Sequence, residues 1–182
     1  TFDPLSAQQV FRLAATDAIH STVTVPLVVR LATLAPHCQL AMQRIDLPAL
    51  PEQLASGELD LALLTPQAAP GMLRTRKLYD EAFLTVLRRG HPAARKKLDL
   101  DTFCELGHVL VSPSGGGFVG AVDEALQRRG RIRRVHISVN SFLLVPGLIE
   151  STDLIATVPA RLARRWAGPL AAVPVPLEVP GF

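Results

Sequence analysis

The stretch of this sequence with the most chemical potential is Gly115-Gly116-Gly117-Phe118-Val119-Gly120, a match to G-x-G-x-x-G. After a strand and at the start of a helix, such a run lets backbone N–H groups approach a dinucleotide pyrophosphate. Two features count against that reading. Ser112-Pro113-Ser114 separates the preceding strand from the first glycine, where the fingerprint needs a tight turn at once. The ribose-binding acid expected at the end of the next strand is missing, because that position falls near Val139-Asn140. Two readings of the run stay open: a turn whose N–H groups hold a carboxylate, and a plain surface loop.

The other reactive side chains are scattered. His20, His37, His91, His108 and His136 form neither HExxH nor any paired spacing, so no zinc site is expected. His108 heads a strand and reads as a structural histidine with satisfied hydrogen bonds. No GxSxG elbow offers an acyl-transfer nucleophile. Cys38 and Cys104 form no CxxC pair; reduced thiols are the simpler reading, with a single disulfide as the alternative. Arg128, Arg129, Arg131, Arg133 and Arg134 cluster at a helix end, and Arg161, Arg164 and Arg165 form a second group. These read as a solvated face that offsets helix dipoles, since no aromatics interleave with them for nucleic-acid stacking.

The elements that must position these residues follow from hydrophobic periodicity. Strands are expected at 9–15, 38–45 and 60–64, the last apolar enough to be buried on both faces. Thr16-Asp17 is helix-capping chemistry. Leu27, Leu31 and Leu34 stripe a helix that stops at Ala35-Pro36, with Pro26 in its first turn and 18–25 as a separate lead-in. A short helix at Pro51-Glu52 closes on Gly57. Extended stretches at 72–79 and 82–88, and a basic loop from Gly90 to Lys97, interrupt the alternation. It resumes with helices at 99–106, 118–129, 141–151 and 160–167, and strands at 108–112, 132–139, 153–158 and 170–177. Such alternation implies parallel sheets with helices on both faces, in two lobes. Ligands then bind beyond the carboxyl ends of the strands. The loops there are rich in hydroxyls and prolines (Thr65-Pro66, Ser112-Pro113-Ser114, Asn140-Ser141), a composition suited to holding a ligand rather than transforming it.

Composition agrees with a folded domain. The chain of 182 residues is 48% hydrophobic and 19% charged, which supports a buried core. A net charge of +3 is mild for a module that lives by neutralising phosphates. No apolar run reaches bilayer length. The opening Thr1-Phe2-Asp3-Pro4 is neither a start methionine nor a signal peptide, so a chain cut from something longer, or processed, is expected.

Several stretches resemble the effector-binding domain of LysR-type transcription regulators. They are Phe2-Asp3-Pro4 with Phe11-Arg12-Leu13-Ala14, Leu34-Ala35-Pro36, and Leu54-x-x-Gly57-Glu58-Leu59-Asp60-Leu61-Ala62-Leu63. Leu78-Tyr79-Asp80-Glu81 with His91-Pro92 follows the same order. Ser151 to Pro159 is similar to the subgroup that senses flavonoids and aromatic acids. The resemblance implies an α/β fold of two Rossmann-like lobes with a cleft between them, the type 2 periplasmic-binding-protein fold. Lobe I would be 1–79, with the chain returning to it from about 179, and lobe II 80–178.

The resemblance further implies a non-enzymatic cytoplasmic sensor that uses no cofactor or metal and has no membrane partner. It would bind a small-molecule effector, aromatic or phenolic, and form a homodimer or homotetramer through the helices near 20–35 and 118–129. Effector contacts would come from Thr16, Ser21, Thr65, Tyr79, Glu81, Phe118 and Ser141. An acid at Glu81 would repel a carboxylate unless protonated or turned away. With no helix-turn-helix in the chain, DNA would be reached only through an N-terminal domain, and RNA polymerase only by the intact regulator. The rival readings are a periplasmic solute-binding protein and a dehydratase-type enzyme on the same fold.

Overall fold

The computed structural model describes residues 3–113 and 115–181. Phe2, Ser114 and Phe182 therefore lie outside the described residues, and with them parts of the opening motif and of the Ser112–Ser114 loop. The chain divides into two compact units, Thr1–Leu78 and Tyr79–Phe182.

The first unit is built on three parallel strands in the order β2-β1-β3: β1 (Val10–Ala15), β2 (Gln39–Arg44) and β3 (Leu61–Ala62). β1 is central and its last three residues are buried. Thr16 caps the helix that follows, its Oγ1 accepting from the Ile19 N–H at 3.4 Å. The lead-in expected to be separate is itself helical: α1 (Asp17–Ile19) runs through a π turn (His20–Thr24) into α2 (Val25–Leu34). Pro26 supplies a reason. It has no N–H to bond one turn back, and Val25 N–H instead reaches the His20 carbonyl five residues earlier. His20 braces the turn, its Nε2–H donating to the Gln43 carbonyl at 2.8 Å while Nδ1 pairs with Thr24 Oγ1 at 3.1 Å.

α3 (Leu50–Ser56) ends on Gly57 at φ 76°, the left-handed cap that its sequence predicts. The strand expected over 60–64 is paired only at Leu61–Ala62, and Leu61 is 51% exposed. It is therefore not buried on both faces. Asp60 explains part of this, because its carboxylate and backbone are both drawn to Arg12 at the start of the pairing. The core of this unit is Ala14, Leu50 and Leu59, flanked by Ile45, Leu54, Leu64 and Leu73.

The second unit holds a five-stranded sheet in the order β6-β5-β7-β4-β8. Its strands are β4 (Phe83–Arg88), β5 (Gly107–Val111), β6 (Arg134–Val139), β7 (Ile155–Pro159) and β8 (Leu170–Pro174). Here the expectation of purely parallel pairing fails. β5 is parallel to β6 and β7, but β4 runs antiparallel to both β7 and β8. No helix precedes β4 to carry the chain across a face, so β4 enters from the edge where the other strands end.

Its helices are α4 (Leu100–Glu105), α5 (Ala121–Gln127), α6 (Val145–Glu150) and α7 (Ala160–Arg165). Side-chain alternation divides the core into two layers. Val86, Val109, Ala156 and Val158 face α6 and α7, where Val145, Ile149 and Ala163 pack on them. Leu87 and Ile155 point the other way, onto Phe103, Leu126 and the terminal segment carrying Leu177 and Val179. α5 starts at Ala121, three residues later than expected, so Phe118-Val119-Gly120 are loop. Both cysteines are free thiols, which removes the disulfide alternative.

His108 and Arg133 form a buried polar connection under α5. His108 is 0% exposed, its ring stacked edge-on against Phe103 at 4.6 Å. Nε2–H donates to the Phe103 carbonyl at 2.8 Å, and Nδ1 accepts from Arg133 Nη1 at 3.2 Å. Arg133 in turn donates twice to Asp123, at 2.8 and 2.7 Å. The structural reading of His108 is thus correct in kind.

Candidate functional site

In a sheet with helical crossovers, backbone groups beyond the strands' carboxyl ends are unpaired, and ligands gather there. In the first unit that edge carries Thr16, which follows β1, and Thr65, which follows the neighbouring β3. Both are half-buried, and the Thr65 carbonyl accepts from Ala68 N–H at 3.0 Å in a short 3-10 turn. Ser21 lies in the π turn one helical turn beyond Thr16 and is also half-buried.

In the second unit the antiparallel β4 does the positioning. Phe83, at its start, lies opposite Pro159, at the end of β7. The residues before β4 therefore share an edge with those after β5, β6 and β7. This brings Tyr79 and Glu81 to the start of α7. Glu81 is only 7% exposed. Its Oε1 accepts from the backbone N–H of Ala82 at 3.1 Å and of Arg161 at 3.4 Å, and Oε2 faces Arg161 Nε at 3.7 Å. The same guanidinium lies 4.2 Å from the centroid of the Tyr79 ring. Ser141 is at this edge too, capping a 3-10 turn by accepting from Leu143 N–H at 3.2 Å. Phe118 is 55% exposed in the β5–α5 loop.

Arg161 is the residue that sequence reading assigned elsewhere, to a solvated basic face. A signal for it existed. It occupies the first turn of α7, where the helix dipole disfavours a cation, so a cation there needs another partner. That partner is Glu81, and the pair offsets the repulsion that an isolated carboxylate would exert on an anionic ligand.

The glycine run does not build a phosphate cradle. Nine positions separate β5 from α5, and among the described ones Gly115 and Gly116 take φ of 83° and 72°. The N–H of Gly120, at the helix start, is already taken by the Asp123 carboxylate at 2.8 Å. Burial alone would raise the Asp123 carboxyl, but its hydrogen bonds with Arg133 and that residue's charge outweigh it and hold the pKa below the usual range. At Gly120 the carboxylate held is thus the protein's own Asp123.

Chemically, these edges present hydroxyls, an aromatic face and a guanidinium, with their one buried carboxylate occupied by that guanidinium. Among the described residues there is no group of three or more His, Cys, Asp or Glu placed to hold a metal.

The family model for the LysR substrate binding domain matches residues 6–182. The HTH-type transcriptional activator NagR of Ralstonia sp is 38% identical over 182 residues, covering 99% of this chain and 60% of NagR. The chain thus spans less than two thirds of that relative's length. Among solved structures, the regulatory domain of MexT, a transcriptional activator in Pseudomonas aeruginosa, superposes with a TM-score of 0.80 at 31% identity, over 96% of this chain and 84% of that one. The BenM effector-binding domain with its effector benzoate gives 0.72 at 19% identity, over 97% and 82%, a likeness of fold. The chain belongs to the LysR substrate-binding domain family, the effector-binding part of LysR-type transcription regulators.

Proposed function

We propose that this domain senses an aromatic or phenolic small molecule, contacted by residues at the carboxyl edge of the second unit's sheet. The observation that carries the reading is the Tyr79–Arg161–Glu81 arrangement: an aromatic ring, a cation held against it, and a buried acid that fixes the cation. The two regulatory subdomains would correspond to the units divided at Leu78–Tyr79. Within the first unit Thr16, Ser21 and Thr65 offer hydroxyls, and within the second Tyr79, Arg161, Ser141 and Phe118 offer contact groups. Effector binding acts by favouring one conformation over another, which requires different affinity for the two. The domain does no chemistry of its own and works in the cytoplasm. DNA would be reached through a helix-turn-helix in a longer regulator; the relative NagR is named an HTH-type transcriptional activator.

Self-association is part of the proposal. α2 buries none of its residues, and Val25, Val28, Val29 and Leu34 are each more than 40% exposed. An apolar helix face of this kind suits a homodimer or homotetramer contact.

The test is a thermal-shift and calorimetric screen of benzoate-like acids, their hydroxylated derivatives and neutral phenols. A true effector at a hundred times its dissociation constant adds about 2.7 kcal/mol of stability. Turnover of any of these compounds, with no stabilisation by them, would overturn the sensor in favour of an enzyme.

A further inference from the structure

The second unit segregates its charge along the strand axis. Each of α5 to α7 links two parallel strands and so runs back against their direction; helix carboxyl ends and the amino ends of β5, β6, β7 and β8 therefore share one edge, and antiparallel β4 ends there too. This is the edge opposite to the one that carries Tyr79 and Ser141. β4 and the loop after it bring Arg88, Arg89, Arg95, Lys96 and Lys97 to it. α5 and the approach to β6 bring Arg128, Arg129, Arg131 and Arg134. The end of α7 adds Arg164 and Arg165. Of the unit's remaining arginines, Arg133 is buried on His108 and Arg161 belongs to the other edge.

Helix-dipole compensation explains a cation or two at each helix end, and not the basic loop after β4. The carboxylates on this edge are few and partly committed. Asp101 pairs with Arg131, Asp153 with Arg88, and Asp99 caps α4 through Thr102 N–H, leaving Glu105 and Glu150. Arg95, Lys96, Lys97, Arg128, Arg129 and Arg134 are all exposed. Two shallow concavities open among them, one of about 450 Å³ beside Lys96 and Lys97 and one of about 460 Å³ beside Arg131 and Arg134.

We infer that this edge binds the phosphate backbone of duplex DNA without sequence preference, a contact separate from the helix-turn-helix and independent of effector binding. Two observations favour a duplex over an acidic protein or a single strand. Among the large exposed apolar side chains, Ile132 is the one on this edge, so the apolar anchors of a protein interface are missing. Among the described residues no tyrosine, phenylalanine or tryptophan is fully exposed there, and half-buried Trp166 packs on the core, so single-stranded bases find little to stack on. Arginine dominates the patch, and its guanidinium pairs with phosphate oxygens through two parallel hydrogen bonds. Five strands about 4.8 Å apart spread these charges over roughly 19 Å, and duplex DNA presents one phosphate charge per about 1.7 Å of its axis. The mild net charge of the whole chain hides this local excess.

The experiment measures fluorescence anisotropy of a labelled duplex of about 25 base pairs and arbitrary sequence, titrated with the 182-residue chain between about 50 and 200 mM salt. Binding with a dissociation constant of about 10⁻⁵ M at low salt, with a steep salt slope, is expected. The double variants Lys96→Glu/Lys97→Glu and Arg128→Glu/Arg129→Glu should each weaken it about tenfold and flatten the slope by about 2. The same charge change at exposed Arg74 and Arg76 in the first unit should leave it within about twofold. Circular dichroism checks folding, and Arg128→Gln/Arg129→Gln replaces any reversal that fails to fold. Absence of binding at low salt, equal loss in the Arg74/Arg76 control, or tighter binding to polyglutamate or a single-stranded oligonucleotide than to duplex would each overturn the inference.

Discussion

The Nδ1 atom of His108 accepts a hydrogen bond from Arg133 Nη1, at 3.2 Å, that an imidazolium could not accept. The Phe103 carbonyl can only accept, so the ring's one proton must lie on Nε2. Burial is the largest cause holding the His108 pKa down, to about 4, and the Arg133 charge adds to it against the opposing Phe103 hydrogen bond. In the unfolded chain this histidine returns to 6.5. The folded state then resists a proton that the unfolded state takes up. Stability is fully present above pH 6.5 and falls as the pH drops towards 4, by on the order of 3 kcal/mol in all. Urea midpoints measured from pH 7.5 to 4 should show this fall in the native chain and a shallower one in His108→Gln. Parallel profiles for the two would remove His108 as the cause.

Arg161 should decide affinity for an acidic effector. Arg161→Gln removes the cation and leaves Glu81 buried beside the incoming ligand. Loss of one charge-assisted contact of about 1.5–3 kcal/mol weakens binding roughly tenfold to hundredfold. Glu81→Gln should keep or improve affinity for a carboxylate, because it removes a negative charge while an amide oxygen can still accept from the Ala82 and Arg161 backbone. Calorimetry on both variants with a benzoate-like acid reads this directly, and weakening of equal size in the two would refute the division of roles.

Val29 is 69% exposed on α2. If that face makes the contact between copies, Val29→Glu puts a charge into it and should shift the species in light scattering towards monomer, with far-ultraviolet circular dichroism unchanged. An unchanged mass distribution would place the contact elsewhere.

Leu126 is fully buried between α5 and the sheet, beside Phe103 and Ile155. Leu126→Ala should cost about 2–5 kcal/mol by denaturant titration, from lost burial and the cavity left behind. A cost below about 1 kcal/mol would mean that this layer collapses around the gap.

Much of the fold was legible because caps and periodicity act locally. Gly57 and Thr16 mark helix ends through their own backbone and side-chain chemistry, and the structure puts them there. What escaped depended on distant pairing. The direction of β4 is set by its neighbours β7 and β8, which lie far along the chain, and its own six residues carry no mark of it. β3 looked longer than it is because apolarity reports burial, and Leu61 is apolar yet half in solvent. Tyr79 and Glu81 stood out in the sequence as candidate contacts, whereas Arg161 hid among neighbouring arginines until β7 and β4 placed it against them.

The antiparallel run of β4 has one more result. Leu84 pairs with Pro174, so the first and last strands of the second unit begin and finish side by side. Gly181 comes so near the Glu81 carbonyl that any β-carbon there would collide with it. The backbone about Gly181 thereby acts as a brace on the segment that carries Glu81, so bulk introduced at position 181 would be felt at the buried acid.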